Sequence, residues 1–160
     1  MIIEYTKVRP NVIAPTRANP SDAGLDVFYC PAEQKVPPAV EILPGESKLF
    51  QTGLRFGVPH GYMLEVKNRS SVAAKRSLLV GACVIDSGYD GEVFINLHNV
   101  GNSTQWVYPG AKIAQMVMVP VITFRAVECA DGGLYAREPI TISDRGEGAL
   151  GSTDAKKAGA

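Results

Sequence analysis

Gly81-Ala-Cys83-Val-Ile-Asp86-Ser-Gly-Tyr89-Asp-Gly-Glu92 sets one acidic and one aromatic side chain at a glycine-rich bend between two apolar runs. Leu78 to Ile85 is nearly all apolar before the bend, and Val93 to Leu97 is strand-like after it. Two such runs joined by turn formers read as a β-hairpin. Ser87, Gly88, Asp90 and Gly91 all favour turns, so the hairpin should open into a mouth that holds Asp86 and Tyr89. A carboxylate there can polarise a water or hold a hydroxyl. The same residues also suit a plain turn with Tyr89 as ordinary packing.

The rest of the chain extends the β reading. Sixteen glycines and eleven prolines punctuate segments rich in Val, Ile, Phe and Tyr, which is an all-β signature. The expected strands are Ile2–Val8, Asp26–Cys30, Val40–Leu43, Ser47–Phe56, Tyr62–Lys67, Leu78–Ile85, Val93–Asn99, Thr104–Val107 and Lys112–Phe124, with a weaker one near Ile140. Gly53 and Gly57 fall in or beside the fourth, where a bulge or bend is expected. Val72-Ala-Ala-Lys-Arg76, behind serines that can cap, is the one helical stretch and spans one or two turns at most. Many short strands with one short helix point to a jelly roll or related barrel.

Composition narrows the function. A chain of 160 residues fits one domain with a real core. Sixteen basic residues balance sixteen acidic ones, so no broad field favours stable binding to nucleic acid or to an anionic membrane. Cys30, Cys83 and Cys129 are odd in number and lack metal-ligand spacing, as expected of free thiols in a reducing compartment. No apolar run approaches the roughly 18 residues of a membrane span, and no basic flank precedes an apolar segment at the N-terminus. The expectation is a soluble protein of the cytoplasm, or of a host cytoplasm if the source is viral.

Four further stretches carry polar groups that a core does not need. Asp22 and Asp26 flank Gly24 at a strand entry, as catalysis or a simple Asx turn would have them. Asn68-Arg69-Ser70-Ser71 puts a guanidinium and two hydroxyls at a strand-to-helix junction, where an anion is favoured and where a helix cap is equally at home. Gln115 enters an apolar strand as a lone amide and needs a partner. The segment 143–160 has Leu150 as its only large apolar residue, which marks it as a flexible tail appended to a β domain of residues 1–142. Gly146 and Gly151-Ser152-Thr153 have the glycine spacing of a phosphate-cradling loop, but Ser152 stands where a P-loop has lysine. A mobile flap closing on phosphates, with Arg145 adding charge, is the alternative to an idle end.

In order and spacing, Ala23-Gly-Leu-Asp26, Arg69-Ser-Ser71, Val84-Ile-Asp-Ser-Gly-Tyr-Asp-Gly-Glu92, Gly110-Ala-Lys-Ile-Ala-Gln115 and Arg145-Gly-Glu-Gly-Ala-Leu-Gly-Ser-Thr153 resemble the five motifs of the trimeric dUTPase family. The resemblance implies a jelly-roll-like β-barrel and a homotrimer with active sites shared between subunits. It also implies hydrolysis of dUTP to dUMP and pyrophosphate, by attack of water on the α-phosphate with Mg²⁺ across the triphosphate. Such an activity limits uracil in DNA and supplies dUMP. On this likeness Asp86 activates the water and holds the sugar 3′-hydroxyl, while Tyr89 lies against the deoxyribose. Asp26 holds Mg²⁺ through water. Arg69, Ser70 and Ser71 bind phosphate oxygens, with Lys112 in the same set, and Gln115 contacts the α-phosphate or the attacking water. The hairpin backbone at Cys83, Val84 and Ile85 reads uracil. The tail, through Arg145, Leu150, Gly151 and Ser152, closes over γ-phosphate and base.

Three positions depart from the family pattern. Cys83 stands for a usual Gly, Leu150 for the ring that stacks on the base, and Lys112 for Arg, which loses a planar bidentate donor. Two of these surround the base, so a pyrophosphatase that also accepts dCTP is an alternative. The related dCTP deaminase needs a glutamate where this chain has Asn96, and so loses its proton carrier. A third reading is an interaction protein that uses nucleotide-bound and free states as a switch.

Overall fold

The computed structural model describes residues 1–32, 39–130 and 133–135. Its elements run β1 (Glu4–Lys7), β2 (Leu25–Phe28), β3 (Val40–Ile42), β4 (Ser47–Gln51), β5 (Leu54–Gly57), β6 (Tyr62–Lys67), α1 (Ser70–Arg76), β7 (Leu78–Val80), β8 (Val84–Ile85), β9 (Phe94–Asn99), β10 (Gln105–Val107) and β11 (Lys112–Pro120). The chain divides into two units, Met1–Thr123 and Phe124–Ala160. Every described strand and the helix lie in the first. Described residues of the second form neither. The expected strand near Ile140 and the expected boundary at residues 142 and 143 lie outside the described residues.

Four antiparallel sheets, ordered β1-β5, β10-β3, β2-β11-β6-β8 and β4-β9-β7, give the first unit its all-β, jelly-roll-like form. Alternation builds the core: along β9, Ile95, Leu97 and Asn99 are buried while Phe94, Asn96 and His98 face outward. Phe50, Ile42, Leu54, Leu78 and Ile113 join the two inner residues in the best-buried set. Asn99, also buried, donates from Nδ2 to the carbonyls of Ile42 and Ser103 at 2.9 Å each and accepts the Gly101 N–H at 3.0 Å, so it carries no unmet polar group. No described helix is long and apolar enough to cross a membrane.

Two expected strands are each two strands in different sheets. The run Ser47–Phe56 breaks at Thr52-Gly53, where Gly53 has φ +71° and an added Cβ would overlap Val12. Before the break β4 pairs with β9, and after it β5 pairs with β1. The run Leu78–Ile85 breaks at Gly81. There β7 leaves β9 and the chain crosses to lay β8 on β6, with the Val66 N–H donating to the Cys83 carbonyl at 2.7 Å. A Cβ on Gly81 would overlap Asn96 Oδ1 and His98 Nε2, so a larger residue at the crossing must displace those side-chain ends. The hairpin therefore keeps its arms, Val80 opposite Leu97, but its mouth is an excursion into a second sheet.

Two ends differ as well. β11 stops at Pro120 rather than Phe124 because its partner stops, Pro120 lying opposite Tyr62 at the start of β6. Helix α1 is capped by Arg69 in extended conformation, with no side-chain cap bond, so neither Ser70 nor Ser71 is its cap. The Arg69 carbonyl accepts the N–H groups of Val72 and Ala73.

Candidate active site

β11 brings the residues of three sequence stretches together. Gln115 lies opposite Asp26 of β2 on one side and opposite Lys67 of β6 on the other. Lys67 is followed by Asn68 and Arg69, so the entry to α1 falls beside both. Gln115 finds the partner that its apolar setting demands: Nε2 donates to the Asn68 carbonyl at 2.9 Å. Gly24 leaves room for this amide, since a Cβ on Gly24 would overlap Gln115 Oε1.

Asp26 is the electrostatic centre of this cluster. Arg69 Nε donates to its Oδ1 at 2.7 Å, and Lys112 Nζ meets its Oδ2 at 2.8 Å. Lys112 also stands 5.7 Å from the Phe28 ring centroid, which fixes the ammonium's approach. Burial pushes the Asp26 carboxyl up, but the hydrogen bonds and charges of Lys112 and Arg69 outweigh it and hold the pKa below its ordinary value. Asp26, Arg69, Ser70 and Gln115 line a cavity of about 270 Å³ together with Asp22, Ala18, Ala23 and Gly24. Asp22 and Asp26 together balance Arg69 and Lys112, so it is the guanidinium, amide and hydroxyl donors, rather than a net positive charge, that suit the site to an anion. Asp22 itself is engaged locally, accepting the Asn19 N–H at 2.9 Å, as an Asx turn would have it.

The hairpin carries the other predicted residues. Val84 is exposed and Ile85 buried, opposite Glu65 and Leu64 of β6, and Cys83 is partly buried beside them. Asp86 follows β8 directly and is exposed. Its carbonyl accepts the Tyr89 N–H at 3.2 Å across a turn whose third residue, Gly88, has φ +88°. Tyr89 Oη donates to the Glu92 carbonyl at 2.9 Å, and the ring lies over Gly91, where a Cβ would overlap it. Among the described residues no hydrogen bond or ion pair joins Asp86 or Tyr89 to the Asp26 cluster. Arg145, Leu150, Gly151 and Ser152 lie outside the described residues.

The two arginines that hold the hairpin mouth, Arg9 and Arg55, carried no sequence signal, and neither did their pairing with Glu92 and Asp90. Glu92 accepts from both ends of the Arg9 guanidinium at 3.1 and 3.2 Å and from the Gly53 N–H at 2.7 Å. Arg55 pairs with Asp90. Arg9 also donates to the Cys30 carbonyl. These contacts clamp the far side of the turn that carries Asp86. Asn68 is likewise more than a neighbour of Arg69, since its Oδ1 accepts the Val80 N–H at 2.7 Å.

The family model for dUTPase matches residues 10–153. The chain belongs to the dUTPase family. Its activity is dUTP hydrolysis, that of a dUTP diphosphatase. The deoxyuridine 5′-triphosphate nucleotidohydrolase of Clostridium acetobutylicum is 38% identical over 157 residues, covering 97% of this chain and 98% of that one. Among solved structures, the dUTPase of Staphylococcus bacteriophage 80alpha with dUpNHpp superposes with a TM-score of 0.77 at 25% identity, covering 94% of this chain and 97% of that one. A mutant dUTPase from phage phi11 of S. aureus, described as coordinating a structural Mg(II) ion, superposes with a TM-score of 0.70 at 24% identity, covering 81% and 97%. Members of this dUTPase family generally use Mg²⁺.

Proposed function

We propose that this dUTPase splits dUTP between the α- and β-phosphates in a site assembled from three copies of the chain. The observation that carries the reading is the cluster at β2, β11 and α1, where Arg69, Lys112, Ser70 and Gln115 offer donors around one partly buried carboxylate. Arg69, Lys112, Ser70 and Ser71 grip phosphate oxygens. Gln115, already aimed by Asn68, donates toward the α-phosphate or the attacking water. Asp86 takes the proton of that water as its oxygen bonds to phosphorus, and the bond to the bridging oxygen of the pyrophosphate breaks. Tyr89 fills the space a ribose 2′-hydroxyl would need, and the backbone of Cys83, Val84 and Ile85 meets the base. Residues 143–160, through Arg145, Leu150, Gly151 and Ser152, close over the γ-phosphate and base.

An exposed Asp86, unlinked to the Asp26 cluster within its own chain, supports a homotrimer in which one subunit's hairpin faces another's phosphate cluster. Asp26 fits Mg²⁺ through water rather than by direct ligation. Its oxygens already serve Arg69 and Lys112, and no three His, Cys, Asp or Glu side chains converge among the described residues. Mg²⁺ keeps several waters and binds triphosphates with little protein ligation. When bound it would neutralise charge on the triphosphate. Asn96, paired to His98 at 2.6 Å, supplies an amide where a deaminase needs a carboxylate.

Incubation with dUTP, dCTP and dTTP in Mg²⁺, scored for pyrophosphate and for the nucleotide product, tests the reading. The expected products are dUMP and pyrophosphate, and Asp86→Asn should cut turnover by about 100-fold, the scale of lost general-base catalysis. Refolding Asp86→Asn chains with chains lacking residues 143–160 should restore part of the activity, because some sites then receive an intact Asp86 and an intact tail. Full turnover by Asp86→Asn, or a fully active monomer, would overturn it.

A further inference from the structure

We infer that Asn68 is a positioning residue that ties the hairpin to the part of its own chain that carries the phosphate-binding cluster, so that in the trimer each hairpin meets the neighbouring subunit's cluster in register. The inference rests on the catalytic reading above. Asn68 stands between β6 and α1 and is bonded in both directions. Its carbonyl takes the Gln115 amide at 2.9 Å, and its side-chain oxygen takes the Val80 N–H at 2.7 Å. The next residue, Arg69, holds Asp26 at 2.7 Å. Val80 is the last residue of β7, and Gly81 after it begins the crossing that delivers Cys83, Val84, Ile85 and Asp86.

β7 is an edge of the β4-β9-β7 sheet, and β6 lies in the other large sheet, so few backbone bonds join them. The Asn68 amide makes a direct tie at the point where the hairpin departs. It also closes the loop from residue 68 to residue 80, which contains α1 with Ser70 and Ser71 at its start. Asparagine suits the place because its acceptor is short, rigid and uncharged. An aliphatic side chain would lose the tie to the Val80 N–H, and a carboxylate would keep the bond but set a negative charge beside the triphosphate. Asn68 is exposed, so losing its side-chain bond to Val80 leaves that N–H to water and should cost the fold little. Its effect falls on alignment, where a displacement near 1 Å can cost about 100-fold in rate.

Steady-state kinetics of the full-length chain on dUTP, with melting temperatures, tests this. Asn68→Ala should lower kcat by roughly 10- to 100-fold with a melting temperature close to that of the natural chain. Asn68→Asp, which keeps the acceptor for Val80, should recover most of kcat while raising KM, more so at low salt. A purely structural role would not separate the two constants in this way. Natural kinetics for Asn68→Ala, or equal loss of kcat in both variants, would overturn the inference. If Asn68→Ala does not fold, Asn68→Asp decides alone: retained kcat with raised KM supports it, and lost kcat refutes it. Asp86→Asn in the same assay separates the two levels, since its full activity would sink the catalytic reading itself, whereas its inactivity beside a normal Asn68→Ala sinks only the role of Asn68.

Discussion

Replacing Gly24 with alanine should impair turnover by displacing Gln115, although Gly24 itself offers no chemistry. The backbone permits the change, because Gly24 is not in the left-handed region. The obstacle is space. The new Cβ would overlap Gln115 Oε1 and stand 3.0 Å from both Cβ and Cδ of the same side chain. Rotating the amide end relieves the first contact but breaks the 2.9 Å bond to the Asn68 carbonyl, a loss of about 1 kcal/mol. The contact to Gln115 Cβ remains, and repacking around it adds about 1–3 kcal/mol of strain. Removing one preorganised donor typically lowers kcat by about 100- to 1,000-fold, so a displaced Gln115 should lower it by at least about 10-fold. Pyrophosphate release at saturating dUTP measures this directly. The double variant with Gln115→Ala supplies the decisive comparison, since it should be no slower than Gln115→Ala alone if Gly24 acts only through that amide. Natural kcat in Gly24→Ala, or additive losses in the double variant, would refute the steric argument.

Gly53→Ala should destabilise the fold by about 2 kcal/mol or more, from a left-handed backbone (φ +71°) and the overlap with Val12, as thermal unfolding will show. The Asp26 carboxyl, held below its ordinary 3.8, contributes stability that is complete above that value and is lost as pH falls through the lower folded value. The melting temperature advantage of the natural chain over Asp26→Asn, measured without metal or nucleotide, should therefore shrink only below pH 3.8; a gap that closes on raising the pH instead would contradict this. Leu150→Phe should lower KM for dUTP by a few-fold and Leu150→Ala should raise it, given about 1–3 kcal/mol for stacking on an aromatic. Both effects should vanish when the chain ends at Thr141, and unchanged kinetics in Leu150→Ala would move the base contact to the hairpin around Cys83.

Local chemistry made much of this protein readable from the sequence. Segments rich in Val, Ile, Phe and Tyr between glycines and prolines covered every described strand to within a few residues, two of the runs covering two strands each, because strand preference and turn formation depend on near neighbours. The helix behind Arg69 was legible for the same reason, as was the demand of Gln115, a lone amide in an apolar strand, for a partner; Asp26, Arg69 and Asp86 were singled out by their resemblance to the family motifs. The partner's identity was not legible. Gln115 meets a carbonyl 47 residues away, Arg69 meets Asp26 across 43, and Arg9 meets Glu92 across 83. Two runs that read as single strands, Ser47–Phe56 and Leu78–Ile85, change sheets at Gly53 and Gly81, because Val12 and the Asn96–His98 pair occupy the space a side chain would need. Such choices are made by atoms distant in the chain that meet only after folding, so the residues of the cluster can be named from their motifs, while which oxygen faces which nitrogen was left to the packing of the sheets.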